Sequence, residues 1–461
     1  MTSSLSQYLE FYDANREVID ANSAPAINAM RPDVRKALEG VRLPRKGDEG
    51  YERTSVEDML APDFGINASR MNLPVDVAAS FRCDVPAVST VMGLVLNDTF
   101  VPTRSLPERL PDGVKFMSLR QAAIEMPDTV SRLMSLPADA SVAAQLNTLL
   151  VQDGVFIHIP DGVKLAKPLQ LVNILSSPID LMAVRRVVIE VGDNASAQLL
   201  VCDHTQGSER DYMSLQVIQI TLGHNASFDL CDLEEASDRT RRLSMLYASQ
   251  AESSRLTVNG STLSGGMTRN EYTIDLDGER SELTMAGMVI ASGSQVADNS
   301  PLVRHHGMRT HSNQMFKYVL DGESSGAFAG CIKVDEEAKF TEAYQSNRNL
   351  IASADARMHT RPQLEIYCDD VRCSHGATTG QLDAQALFYM RTRGIPEAQA
   401  RTMLRQAFMA DVIDTVPIEG LRDRMRILVE RRFNGMSASC ADCATCSTDP
   451  STTSTASPTN A

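Results

Sequence analysis

From about Val151 to Gly380 the chain breaks into short alternating apolar runs divided by Gly, Asn and Asp, and this texture constrains the fold more than any other feature. Alternation with period two describes strands that bury one face. Within the region two segments echo one another about thirty residues apart: Val187-Val188-Ile189-Glu190-Val191-Gly192-Asp193-Asn194-Ala195-Ser196 and Ile218-Gln219-Ile220-Thr221-Leu222-Gly223-His224-Asn225-Ala226-Ser227. Each reads as a strand, a Gly turn and a second strand. A further echo pairs Leu276-Asp277-Gly278-Glu279 with Leu320-Asp321-Gly322-Glu323. Degenerate periodicity of this kind is the mark of stacked solenoid rungs, none of which is stable alone. The absence of Trp and an aromatic content of 5% suit a narrow interior of stacked aliphatic side chains, a composition that a β-sandwich would share.

The flanks differ. Residues 1–150 are punctuated by Pro and predict helical segments, around Tyr8–Ile19 and Pro32–Leu38, with Ser55 as a further N-cap. The polar stretch Arg45–Gly50 reads as a solvated loop. Residues 381–434 return to helical spacing. Asp383 is an N-cap candidate and Gly394 a stop signal, Pro396 opens a helix to Ile413, and a third runs from Leu421 to Phe433. Residues 435–461 are rich in Ser, Thr, Ala and Pro and predict a disordered tail. The expected fold is therefore mainly β, a parallel β-helix core over 151–380 between N- and C-terminal α-helical domains.

Charge and motifs exclude several functions. With 44 Lys+Arg against 59 Asp+Glu, the net charge of −15 argues against a nucleic-acid partner. No apolar run reaches membrane-spanning length, and the N-terminus has neither the basic start nor the apolar stretch of an export signal, so a soluble cytoplasmic protein is expected. The nine Cys do not form a secreted disulfide pattern. No Gly-x-x-x-x-Gly-Lys-Ser/Thr loop exists to bind nucleotide, and no Gly-x-Ser-x-Gly elbow supplies a nucleophile. The chain reads as no enzyme by itself.

The most informative stretch is Asp369-Asp370-Val371-Arg372-Cys373-Ser374-His375-Gly376-Ala377-Thr378-Thr379-Gly380. If it is extended, Cys373 and His375 share one face, where a thiol and an imidazole can bind iron or zinc or perform nucleophilic chemistry. Which face points inward is open. Arg304-His305-His306 with His311 offers a weaker metal pattern, because adjacent strand residues face opposite ways. Cys231 and Cys331 read as inert core thiols. Cys440, Cys443 and Cys446 form a Cys-x-x-Cys-x-x-Cys run whose spacing lets thiolates wrap a metal, although a fourth ligand is missing.

Cys373-Ser374-His375-Gly376-Ala377-Thr378-Thr379-Gly380-Gln381-Leu382-Asp383, followed by Ala386-Leu387-Phe388-Tyr389-Met390-Arg391-Thr392-Arg393-Gly394-Ile395, resembles the C-terminal signature of the SufB/SufD family, scaffold subunits of the SUF iron–sulfur cluster assembly machine. The Cys-Ser-His-Gly form is similar to the SufD side of that family. The resemblance continues through Gly265–Asn270, Val303–His306, Phe316–Gly322 and Thr360–Ile366, and more loosely through Leu43–Thr54, where Tyr51 takes the aromatic place.

The resemblance implies a right-handed parallel β-helix that pairs end to end with a SufB-like paralogue and docks a SufC-like ATPase through its C-terminal helices. It implies that His375, with Cys373 beside it, lies at the paralogue interface where iron or a transient iron–sulfur cluster is held. It also implies that Leu387, Phe388, Tyr389, Arg391 and Arg393 contact the ATPase, which alone binds nucleotide. A homodimer is a further possible assembly. Two alternatives stand beside this reading: a stand-alone iron–sulfur or zinc carrier using Cys440, Cys443 and Cys446, and a β-helix enzyme acting on polysaccharide.

Overall fold

The computed structural model describes residues 3–71, 73, 89–102, 110–207 and 209–435. Two long, mostly parallel sheets face each other. The first has the order β2-β1-β5-β7-β9-β11-β13-β15-β18-β21, running from β2 (Thr99–Pro102) and β1 (Val91–Leu96) through β5 (Leu169–Leu175), β7 (Ser196–Thr205), β9 (Ser227–Glu235), β11 (Arg255–Ser264), β13 (Glu282–Ala291), β15 (His311–Leu320) and β18 (Glu342–Ile351) to β21 (Arg372–Gly380). The second runs from β3 (Lys115–Ser118) and β4 (Val155–Ile159) through β6 (Leu181–Val191), β8 (Tyr212–Leu222), β10 (Thr240–Gln250), β12 (Met267–Leu276) and β14 (Val296–His305) to β16 (Ser325–Phe328) and β19 (Arg357–Thr360). Here β17 (Cys331–Val334) also pairs with β14, and β20 (Gln363–Ile366) with β17. From β4 to β16 consecutive strands alternate between the sheets, and from β6 to β16 each returns beside its predecessor but one. This is a parallel β-solenoid.

One corner shows how the rungs repeat. Asn194, Asn225, Ser253, Arg280, Arg309 and Phe340 each take a left-handed φ of 52° to 61° at the same place in successive turns. Their amide N–H groups donate to the next turn: Asn194 N to His224 O at 2.8 Å, Asn225 N to Glu252 O at 2.9 Å, and Arg280 N to Met308 O at 3.0 Å. Asn tolerates this conformation because its short amide bonds locally, and the Asn225 side chain donates to Asn194 Oδ1 at 2.9 Å. Gly192 and Gly223 precede these turns because a Cβ there would lie 2.3 Å from Asp161 Oδ1 and 2.4 Å from Asp193 Oδ1 respectively. The Val187–Ser196 and Ile218–Ser227 echo thus marks equivalent turns. The Leu-Asp-Gly-Glu echo does not: Leu276 ends a strand of one sheet and Leu320 a strand of the other, so the two copies sit at opposite corners.

The interior is divided. Toward the corner just described it is aliphatic, with Val187, Ile189, Leu199, Val201, Ile218, Ile220, Leu230 and Ile274 stacked in one cluster. Farther from that corner it is polar and charged. Arg185 on β6 donates to Asp203 on β7 at 2.9 Å, and Arg242 on β10 reaches Asp203 at 2.9 Å and Asp232 on β9 at 2.5 Å. All four side chains are at most one-tenth exposed, and Asn173 and Asn270 also join the network. Each charge of this network therefore has an opposite partner.

Both outer faces are covered. Helix α7 (Val142–Leu150) lays Leu146, Leu149 and Leu150 on Met182, Val184, Val188, Met213 and Leu215 of the second sheet. Helices α9 (Glu397–Asp414) and α10 (Glu419–Phe433) pack Met409, Val412, Leu421, Met425 and Leu428 on Leu200, Cys202, Cys231, Leu233 and Met288 of the first. With both faces covered, every residue of β5 is buried, and all but one of β6 and of β8. The N-terminal helices α1 (Ser4–Ala21), α3 (Arg31–Ala37) and α4 (Val56–Met59) occupy the stretches expected of them, and Ser55 Oγ accepts from Asp58 N at 3.0 Å. The first 150 residues also contain β1, β2 and β3, which extend both sheets, so the solenoid begins near Val91. Among the described residues, no helix is long and apolar enough to cross a membrane.

Candidate functional site at the open end of the solenoid

The two ends of the solenoid differ. At the start, β2 runs antiparallel to β1 and β3 antiparallel to β4, which ends the parallel stack. At the finish, β21 pairs only with β18, and no described strand covers its other edge. A free edge presents unpaired N–H and C=O groups and is a template for another chain.

Cys373 and His375 lie on this last strand, in register with Ala343 and Gln345 of β18. Cys373 is half-buried and packs with Val371 and Leu364 against Ile332, Val334, Ala338, Ala343 and Cys368. That contact fixes the face left open by the sequence: Cys373 points toward the solenoid axis, and so does His375 two residues on. Gln345, on the same face one rung inside, is buried and donates Nε2 to Gln314 Oε1 at 3.0 Å. His375 is exposed because no rung lies beyond it. Burial pushes the Cys373 thiol above its ordinary pKa, partly offset by a hydrogen bond from the Ala343 backbone. Its thiolate fraction is thereby reduced, not abolished.

Two donors do not complete a metal shell. Among the described residues, no group of three or more His, Cys, Asp or Glu is placed to hold a metal ion. His305 is fully buried, bonded to Thr310 Oγ1 at 2.7 Å and Ser312 Oγ at 2.9 Å, and burial pushes it down to about 3. His306 faces away, bonded to Asp335 at 2.6 Å. The alternation expected of the pair holds. Cys231 is buried beneath the C-terminal helices, while Cys331 is half-buried beside Glu365, burial pushing its thiol up to about 11. Cys440, Cys443 and Cys446 lie outside the described residues.

The predicted helical contact residues lie on α8 (Ala384–Thr392), capped by Asp383, and just beyond it. No residue of this helix is buried. Leu387 is half-buried, while Phe388 and Tyr389 are 67% and 58% exposed, so neither serves as core. Arg393 caps the Tyr389 ring at 5.1 Å and donates to its hydroxyl at 2.9 Å, and Arg391 lies 3.4 Å from Glu397. Beside it, α9 and α10 enclose a groove of about 380 Å³ lined by Met403, Ala407, Ala410, Ile413 and Val429. Gln406, Arg426 and Glu430 complete the lining of the groove.

Two participants escaped the sequence reading. Gln345 is the inner neighbour of His375, and Cys368 shares the cluster of Cys373; only rung alignment, with Ile366 beside Val334 and Arg372 beside Glu342, reveals either.

The fold is thus a parallel β-solenoid whose last strand carries a thiol and an imidazole, followed by a C-terminal helix with exposed aromatic rings, the architecture of a scaffold. Residues 174–408 match the model of the SUF system FeS cluster assembly SufBD core domain, and residues 2–171 that of the SufBD protein N-terminal region. The chain belongs to the SufBD family. It is 28% identical over 406 residues to an iron–sulfur cluster assembly SufBD family protein of Synechocystis, covering 86% of this chain and 88% of that one. It is 25% identical to the iron–sulfur cluster assembly protein SufD of Escherichia coli, covering 85% and 90%, and 26% identical to that of Bacillus subtilis, covering 71% and 76%.

Proposed function

We propose that this chain is a SufD-like cytoplasmic scaffold subunit that pairs through its open end with a SufB-like paralogue and docks a SufC-like ATPase through α8, α9 and α10. Cys373 and His375 contribute donors at the paralogue interface to iron or a nascent iron–sulfur cluster, and the paralogue supplies the remaining ligands. Imidazole and thiolate are both suited to iron, and mixed ligation raises a cluster's potential relative to thiolate alone. The cluster is cargo, built and passed on. Without the paralogue, the same free edge can accept a second copy of this chain. ATP hydrolysis resides in the partner.

The observation that carries this reading is the position of Cys373 and His375 on β21, the last strand of its sheet, whose outer edge no described strand covers. An incomplete donor set at a surface built to be covered gains its missing ligands from whatever covers it. The test is anaerobic co-purification with SufB-like and SufC-like partners, followed by iron and sulfide analysis of complexes with and without His375→Ala. A stable complex whose cluster yield falls in the variant supports the reading; undiminished yield overturns the role of His375. Failure to form any complex, with metal retained by the isolated chain, would favour a carrier based on the cysteine tail.

A further inference from the structure

The last corner of the solenoid brings two cysteines together. In the preceding rung the chain leaves β17 at Val334, turns through residues 335–341 and enters β18 at Glu342, with Ala338 and Ala343 buried on the inside. The final rung repeats this path with a shorter turn: Tyr367 N donates to Val334 O, Phe340 N to Asp370 O, and Arg372 N to Thr341 O. Cys368 opens this turn and Cys373 lies just beyond it. Both join the small cluster around Val334, Ala338 and Ala343. Their accessibility differs: Cys373 is half-buried at the open end, whereas Cys368 is 8% exposed. Both are free thiols.

We propose that Cys368 and Cys373 are a redox-active dithiol that closes into an internal disulfide across the last corner of the solenoid, by exchange with a low-molecular-weight disulfide. The roles follow from exposure. The Cys373 thiolate attacks one sulfur of the small disulfide, forming a mixed disulfide and releasing one small thiolate. The Cys368 thiolate then attacks the Cys373 sulfur and releases the second. Two protein thiols lose two electrons and two protons, and one small disulfide becomes two thiols. Closure bridges residues five apart and locks the turn from which β21 begins. Its consequence for cluster binding rests on the function proposed above: in the disulfide, Cys373 has no thiolate left to offer beside His375.

The sequence supplies a direct readout. Arg372 separates the two cysteines, so trypsin places Cys368 in the peptide 358–372 and Cys373 in the peptide 373–391, which stay joined only through a disulfide. The full-length protein is treated with glutathione disulfide, blocked with an alkylating agent, digested without reductant and analysed by mass spectrometry. The expected main product is the linked pair 358–372/373–391, and in Cys368→Ser the Cys373 peptide instead accumulates carrying glutathione. If wild-type Cys373 also stops at the glutathione adduct, or links to a tail cysteine, the proposal is overturned. The wild-type measurement needs no folded variant. Cluster yield with and without His375→Ala, measured under reductant, tests the functional reading separately, so the failure of one is not the failure of the other.

Discussion

His375 lies in register with Gln345 on the adjacent strand, and Gln345 Oε1 is buried without a hydrogen-bond partner. The interior of the last rungs is thus polar where earlier rungs are aliphatic, and it ends in an amide stack of Gln314 and Gln345 directly beneath the exposed imidazole. Replacing Gln345 with Leu removes the 3.0 Å bond to Gln314 and leaves that amide unpaired. The expected cost is about 1–3 kcal/mol in chemical denaturation. A Gln345→Leu protein as stable as wild type would show that the stack contributes no net stability.

The glycines before the stacked turns are sterically required. A Cβ at Gly192 would sit 2.7 Å from the Asp161 backbone nitrogen, and one at Gly278 2.0 Å from the Glu252 nitrogen. Backbone cannot yield as a side chain can, so Gly192→Ala and Gly278→Ala should each lose about 1–3 kcal/mol or more. Gly376→Ala, with nothing within 4 Å of its Cβ, should cost far less. Equal thermal shifts for the three would refute the steric argument.

The buried charge network predicts a large mutational effect. Arg242 neutralises Asp232 and shares Asp203 with Arg185, so Arg242→Met leaves Asp232 without its cation within the solenoid. A loss of about 3–5 kcal/mol is expected from breaking such a network at one partner. Urea unfolding of the variant measures it, and a loss below about 1 kcal/mol would mean that water reaches the carboxylates.

Glu234 gives the fold a pH dependence of unusual sign. Burial, only partly opposed by Arg242 and by hydrogen bonds from Thr268 and Thr262, raises its carboxyl from 4.5 to about 7. The folded chain holds this proton up to about pH 7, whereas the unfolded chain releases it near 4.5. Unfolding between these values releases a proton, so this group's contribution to stability falls as pH rises, on the order of 1.4 kcal/mol per pH unit. Glu234→Gln should remove that component, and identical stability–pH profiles for the two proteins would refute it.

On α8, the exposure of Phe388 and Tyr389 separates binding from folding. Phe388→Ala with Tyr389→Ala should leave the melting temperature nearly unchanged, since neither ring is buried. Capture of a SufC-like ATPase should fall about tenfold or more if these rings anchor the contact. Unaltered capture would move the docking surface elsewhere.

How much of this was legible beforehand depended on the range of the interactions concerned. The turn after Val191 and the turn after Leu222 announced themselves because Gly and Asn answer a local need, a tight approach and a left-handed φ. The helices after Asp383 were readable for the same reason. Strands β1 and β3 were not, because their pairings reach β5 and β4 across long stretches of chain, and β2 is held only by β1. Cys373 and His375 could be placed on one face by period two alone. Deciding which face needed Ile332 and Ala343, which belong to other strands. Arg185, Asp203, Arg242 and Asp232 left a signal in charged residues at inward positions, but it is visible only once the rungs are aligned.

The difference between the two ends of the solenoid also sets a limit on stoichiometry. When two such molecules, identical or paralogous, join through β21, each contributes the same end of its solenoid. What remains outward on both sides is the start, where β2 and β3 run antiparallel to their neighbours. A contact made by the same edge of each molecule is isologous, so it closes as a two-fold pair and does not by itself propagate a fibre.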